Sequence, residues 1–232
     1  MPGGYSGRVV AGVERGHPAY AGQAVYTRRF LGVYDAVVLG FNSRVFWRCP
    51  MARLVELYNK HVSGRHLDIG VGTGRLLDDC SFPVKPPSIT LMDLNRDPLE
   101  VAAARLERYA PELHQANVLE RWDLPPGSFD SVAMSLLLHC LPGRMPDKTV
   151  VFEHARTALA PRGVLFGATV LAEGVHHTPL SRLAMTALNR REDFSNLNDT
   201  LDDLDAGLTR TFESHEIQVQ GAVAIFAAHA PA

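Results

Sequence analysis

The residues best placed to do chemistry are those at 67–77, Leu67-Asp68-Ile69-Gly70-Val71-Gly72-Thr73-Gly74-Arg75-Leu76-Leu77. A short apolar run carries an acidic residue, a glycine-rich turn follows, and an amphipathic helix is expected to begin. Glycine lets backbone approach a ligand closely, because no Cβ stands in the way. A helix start offers unpaired N–H groups and the positive end of its dipole to a carboxylate or phosphate. The combination reads as a nucleotide-type binding turn at the C-terminal edge of a strand, where open α/β sheets place their ligands.

Spacing narrows the ligand. A dinucleotide fingerprint needs glycine at the first, third and sixth positions of the turn. Gly70 and Gly72 fit, but the sixth position is Arg75, and Gly74 comes one residue early. A P-loop is excluded more firmly, since no Gly-Lys-Ser/Thr follows. A second apolar run, Ser88-Ile89-Thr90-Leu91-Met92, ends in Asp93. An acidic residue about 20 positions beyond such a turn is placed to accept hydrogen bonds from ribose hydroxyls. Asp97-Pro98-Leu99 then reads as an N-cap with proline in the first helical turn. His114-Gln115-Ala116-Asn117-Val118-Leu119 reads as a third strand and its ligand-facing end.

Taken in order, Asp68-x-Gly70-x-Gly72-x-Gly74, Asp93 and the third strand resemble the class I S-adenosylmethionine (SAM) dependent methyltransferases. Phe129 to Leu141 is similar to the fourth strand of that family and the loop beyond it. Leu159-Ala160-Pro161-Arg162-Gly163-Val164-Leu165 is similar to its Leu-x-Pro-Gly-Gly-x-Leu turn, with Arg162 where a first glycine is common. The resemblance covers residues 64 to 229. It implies an α/β fold: a doubly wound, seven-stranded, mostly parallel sheet (Rossmann-like) with an antiparallel last strand. It also implies SAM as cofactor and S-adenosylhomocysteine as product. The glycine turn would approach the methionine part of SAM, Asp93 would hold the ribose, and Asn117 and Val118 would meet the adenine. Asp68, Thr73, Leu94 and Ser135 complete the expected cofactor set. Many relatives carry Asp where this chain has Asn117; asparagine still offers a carbonyl to the adenine amino group.

The 232 residues, 46% of them apolar, suit one sizeable α/β domain. A formal net charge of −2 gives no overall basic footprint for nucleic acid, although a local patch stays open. No run of 18 apolar residues exists, so no membrane span is expected. The N-terminus lacks the apolar core of a signal peptide, and a cytoplasmic protein is expected. The three cysteines, Cys49, Cys80 and Cys140, are scattered without metal spacing and read as reduced thiols. No metal is expected. The acidic run Asp199, Asp202, Asp203 and Asp205 lacks the glycine and terminal Glu of a calcium loop and reads as a solvated helix face.

Three segments follow: a flexible leader at 1–17, an N-terminal helical lid at 18–62, and a SAM-binding domain at 63–232 with a lid insertion at 172–198. In the family such N-terminal helices cover SAM and substrate; the alternative is that their aromatics only pack onto the domain. Tyr26 and Tyr34 lie about two helical turns apart and are expected to close over the substrate. His139 follows the fourth strand and is read as a general base or a residue positioning the nucleophile. The alternative is a histidine that packs or lines the SAM site. His176 and His177 are read as substrate-lid residues, the alternative being a solvent-facing loop.

The functional expectation is transfer of the SAM methyl to a small-molecule nucleophile, with O-, N- and C-methylation all open. The competing expectation is a SAM-binding protein of the same fold that does not methylate: a cyclase or rearrangement catalyst, or a SAM sensor. A small-molecule substrate, no nucleic acid and no membrane are expected, with a homodimer left open.

Overall fold

The structure is a computed structural model in which residues 43–232 are described. The leader, Tyr26, Tyr34 and most of the N-terminal helical segment lie outside the described residues. Within the described part of that segment, helix is interrupted. A helical turn at Ser43–Val45 is followed by a turn and bend at Phe46 and Trp47, Arg48 at positive φ and then Pro50. Proline fixes its own φ and pushes the residue before it away from helix. Helix α1 (Met51–His61) starts directly after Pro50 and buries Leu54, Leu57 and Tyr58.

From there strands and helices alternate. They run β1 (Arg65–Ile69), α2 (Arg75–Asp79), β2 (Ser88–Asp93), α3 (Arg96–Arg105), β3 (Glu112–Gln115), β4 (Phe129–Ser135), α4 (Met145–Lys148), α5 (Val150–Ala158) and β5 (Leu159–Val170). Then come α6 (Pro179–Arg190), α7 (Leu201–Thr211), β6 (Ser214–Gln220) and β7 (Val223–His229). The seven strands form one sheet in the order β3-β2-β1-β4-β5-β7-β6. β7 runs antiparallel to both β5 and β6, and the remaining pairs are parallel. The chain winds outward from β1 through β2 to β3, then returns to β4 on the other side of β1. The C-terminal ends of β1 and β4 therefore flank the switch point where ligands bind in such sheets.

The central strands β2, β4 and β5 feed both faces of the sheet. Leu91, Ala133 and Phe166 join the core under α1 and α3, while Met92, Met134 and Leu165 join the core under α5 and α7. Two-sided burial is why the strands read as continuous apolar runs rather than alternating ones.

Local features of the chain shape these elements. The helix after the glycine turn has only five residues and stops before Cys80. Pro83, Pro86 and Pro87 occupy the chain that leads on to β2, and none can continue a helix without losing a hydrogen bond. A helix this short adds little dipole to the turn. The third strand is Glu112–Gln115, and beyond it Asn117 folds the chain into a turn by accepting from Leu119 N at 3.1 Å. Helix α7 starts where the Thr200 hydroxyl accepts from Asp203 N at 3.0 Å and runs through Thr211, so β6 begins only at Ser214. The acidic run is not one solvated face. Asp202 and Asp205 are exposed, but Asp199 is fully buried, with Lys148 Nζ 2.6 Å from its Oδ2.

Candidate functional site

A pocket opens at the C-terminal ends of β1, β2 and β4, over the glycine turn. Asp68, Gly70, Gly72, Thr73 and Gly74 line it from the first strand and its turn. Asp93 and Leu94 line it from the second, Asn117 and Val118 from beyond the third, and Ser135 from the end of the fourth. These ten expected cofactor residues thus converge on one cavity, although they span 68 to 135 in sequence.

The glycines of the turn have different jobs. All three sit at positive φ, and Gly70 N donates to Met92 O at 2.9 Å to hold the turn against β2. A Cβ on Gly72 would meet nothing within 4 Å, so its bare backbone faces open space that a ligand can fill. A Cβ on Gly74 would come within 3.1 Å of Ala102 in α3. Gly74 therefore serves helix packing, the role that the third glycine of the dinucleotide fingerprint serves one residue later.

Two carboxylates stand at the strand ends. Asp68 is 5% exposed and accepts from the Tyr58 hydroxyl at 2.8 Å. Asp93 is half-buried and accepts from Asn95 N at 2.9 Å. Loss of water around the Asp93 carboxyl raises its pKa to about 7, against the pull of backbone N–H groups from Asn95, Val71 and Leu94. Asn117 is already engaged: its Nδ2 donates to Glu120 Oε1 at 3.0 Å and its Oδ1 accepts from Leu119 N. One lone pair on Oδ1 is left for a ligand.

Sequence reasoning missed the other lining residues, among them Tyr58 on α1 and Cys140, Leu141 and Pro142 in the loop after β4. Tyr58 carried a legible signal, since a phenol on the apolar stripe of α1 must find a polar partner once buried. The loop residues carried none.

The expected catalytic and substrate histidines lie elsewhere. Leu136, Leu137 and Cys140 line the pocket, but His139 does not. It is 4% exposed, packs on Phe194 with ring centroids 4.3 Å apart, and accepts from Val170 N at 3.2 Å through Nδ1. Burial, helped by the nearby Lys148 charge, lowers its pKa to about 3. A nitrogen that weakly basic, already used as an acceptor, is a poor proton acceptor at neutral pH. The reading of His139 as a base is therefore corrected to a packing and backbone-pinning role. His139→Ala is expected to destabilise the fold by about 1–3 kcal/mol, because the Val170 N–H loses its partner. Its kcat at saturating substrates should stay within about tenfold of wild type, whereas a base would lose about 10²–10⁴-fold. Chemical denaturation and steady-state kinetics on the same variant separate the two.

His177 is likewise structural. Its Nε2 lies 2.9 Å from Leu171 O and its Nδ1 3.2 Å from Ser181 Oγ, which ties the start of α6 to the end of β5. His176 is exposed. Among the described residues none of 172–198 lines the pocket, and none forms a cluster of three or more His, Cys, Asp or Glu able to hold a metal ion.

Comparison with known proteins fits this geometry. A family model described as a methyltransferase domain matches residues 67–165, from within β1 to within β5. Demethylluteothin O-methyltransferase of Streptomyces thioluteus is 43% identical over 207 residues, covering 89% of this chain and 90% of that protein. A physcion biosynthesis cluster O-methyltransferase of Aspergillus chevalieri is 36% identical over 216 residues, covering 92% and 97%. Among solved structures, a phosphoethanolamine N-methyltransferase of Haemonchus contortus in complex with S-adenosyl-L-methionine shares the fold, with a TM-score of 0.66 at 14% identity, over 92% of this chain and 59% of that one.

Proposed function

The chain belongs to the SAM-dependent methyltransferases that act on small molecules, and on that premise we propose that it methylates a phenolic or enolic hydroxyl of a specialised metabolite. The observation that carries the cofactor assignment is the pair of carboxylates, Asp68 and Asp93, that flank the open Gly72 backbone in one pocket. Bound SAM supplies a methyl group already activated by its sulfonium. Asp93 accepts hydrogen bonds from the ribose hydroxyls. Asn117 and Val118 border the adenine, and Asp68, Thr73 and Ser135 border the amino-acid end with the glycine turn. Leu136, Leu137, Cys140, Leu141 and Pro142 form a mostly apolar wall that excludes water.

Transfer then needs alignment of the acceptor oxygen, which proximity and orientation supply at up to about 7–11 kcal/mol. Among the described residues no histidine lines the pocket, which favours an acceptor hydroxyl that ionises readily over an alcohol that needs a strong base. The names of the O-methyltransferase relatives support oxygen as the acceptor atom.

The test is incubation of the full chain with methyl-labelled SAM and a panel of phenols, enols and amines. Label in an O-methyl product, with one S-adenosylhomocysteine released per methyl, is the expected result. Label on amines alone overturns the oxygen assignment. SAM binding without transfer to any acceptor favours the non-methylating alternative.

The Asp93 pKa of about 7 adds a pH dependence. Ribose hydroxyls donate to the ionised carboxylate, so binding at or below pH 7 must expel a proton. Affinity for S-adenosylhomocysteine is expected to fall as pH drops below 7, approaching tenfold per pH unit, and to level off above it. Calorimetry in buffers of different ionisation enthalpy should show about half a proton released at pH 7.

A further inference from the structure

Among the described residues, the polar atoms around Asp68 include no lysine or arginine partner, and His66 Nε2 stands 3.5 Å from Oδ2. Asp68 sits at the second-last position of β1, 5% exposed, and lines the pocket. The Tyr58 hydroxyl occupies its Oδ2 at 2.8 Å. His66 Nε2 lies 3.5 Å from the same oxygen, while His66 Nδ1 is 2.7 Å from Ser131 Oγ. Among the described residues no lysine or arginine pairs with Asp68, and none donates to Oδ1. A buried carboxylate without a full partner is costly, so a positively charged ligand group gains an unusually receptive site here. Ser135, buried on β4, also lines the pocket and interacts with the Tyr58 hydroxyl.

Tyr58 is held for this task from two sides. It is 1% exposed on α1, and its ring stands edge-on to Phe166 at 5.0 Å. Burial, then the charge of Asp68, raises its pKa well above 10, so the hydroxyl keeps its proton and stays a donor. The phenol thus leaves the carboxylate one free oxygen, beside the glycine turn.

We propose that Tyr58 is a positioning residue: it anchors Oδ2 of Asp68 so that Oδ1 receives the α-ammonium of the ligand's amino-acid end, and thereby sets the preference for ligands that carry that ammonium. This rests on the SAM reading above.

The test compares two probes by calorimetry on the full chain. S-adenosylhomocysteine carries the amino-acid end; 5′-methylthioadenosine shares the adenosine and lacks it. Tyr58→Phe keeps the ring on Phe166 and removes only the donor. It is expected to weaken S-adenosylhomocysteine about tenfold or more while leaving methylthioadenosine within twofold. In an Asp68→Asn background the same change should be silent toward both probes. Binding stoichiometry reports the folded fraction, so partial misfolding lowers the number of sites and not the affinity ratio. Equal weakening of both probes assigns Tyr58 a merely structural role and overturns the inference. Unchanged affinity for both overturns it too. Failure of the wild-type chain to bind either probe overturns the SAM reading itself.

Discussion

Replacing Lys148 by Met is expected to cost the fold about 3–5 kcal/mol, the usual penalty for stranding one member of a buried ion pair. Lys148 is fully buried on α4, and its Nζ donates to Asp199 Oδ2 at 2.6 Å and to Ser195 O at 2.5 Å. Burial pushes the lysine pKa down and the aspartate pKa up, each opposed by the charge of the other. Asp199 Oδ1 has no hydrogen-bond partner among the described residues, so the carboxylate is poorly compensated when Lys148 is gone. At about 2–4 °C per kcal/mol for a chain this long, the melting temperature should drop by about 6–20 °C. Lys148→Met combined with Asp199→Leu should recover most of the loss, because two apolar groups need no partner. A single variant that melts with wild type, or a double variant worse than the single, contradicts the assignment.

The pair lies among contacts that fasten residues 194–199 to the core. Asn196 Nδ2 donates to Val170 O at 2.9 Å, Ser195 N donates to His139 O at 2.8 Å, and Phe194 stacks on Trp47. The 172–198 segment is thus tied to the core by buried polar groups at one end and by His177 at the other.

Asp93→Ala carries the largest expected effect on ligand binding. Losing charge-assisted hydrogen bonds to the ribose removes about 1.5–3 kcal/mol, or roughly 10–150-fold in the dissociation constant for S-adenosylhomocysteine. The fold itself should not suffer. The folded pKa of about 7 lies above the ordinary 3.8, so the contribution of this group to folding is complete below pH 3.8 and is lost as pH rises through 7. At neutral pH the ionised carboxylate is a burden on the unliganded fold, and its removal is neutral or slightly stabilising. Calorimetry paired with thermal unfolding checks both halves. Undiminished affinity contradicts the ribose assignment.

The sheet, and the pocket on which the glycine turn and the strand ends converge, were legible because backbone geometry writes them into sequence. A glycine turn after an apolar strand, and an acidic residue one strand later, are local patterns, and they led to ten residues that share one pocket. The length of α2 was less legible, since the prolines that end it sit in a loop whose path nothing local specifies. The histidines misled for a common reason. His139 and His177 sit next in sequence to the pocket wall and the insertion, but side-chain direction is set by tertiary partners, Phe194 and Val170 for one, Leu171 and Ser181 for the other. Asp199 misled likewise: four acidic residues in a row of seven look solvated until one finds Lys148, far away in sequence. Buried polar pairs across long sequence separations leave no periodic trace.

The central claim is that this pocket holds SAM across the glycine turn, and a crystal structure of the chain with S-adenosylhomocysteine tests it most directly. The expected result puts the ribose hydroxyls within hydrogen-bond reach of the Asp93 carboxylate, the adenine beside Asn117 and Val118, and the amino-acid end over Gly70 and Gly72 beside Asp68. A ligand seated elsewhere, or one whose ribose points away from Asp93, would contradict it.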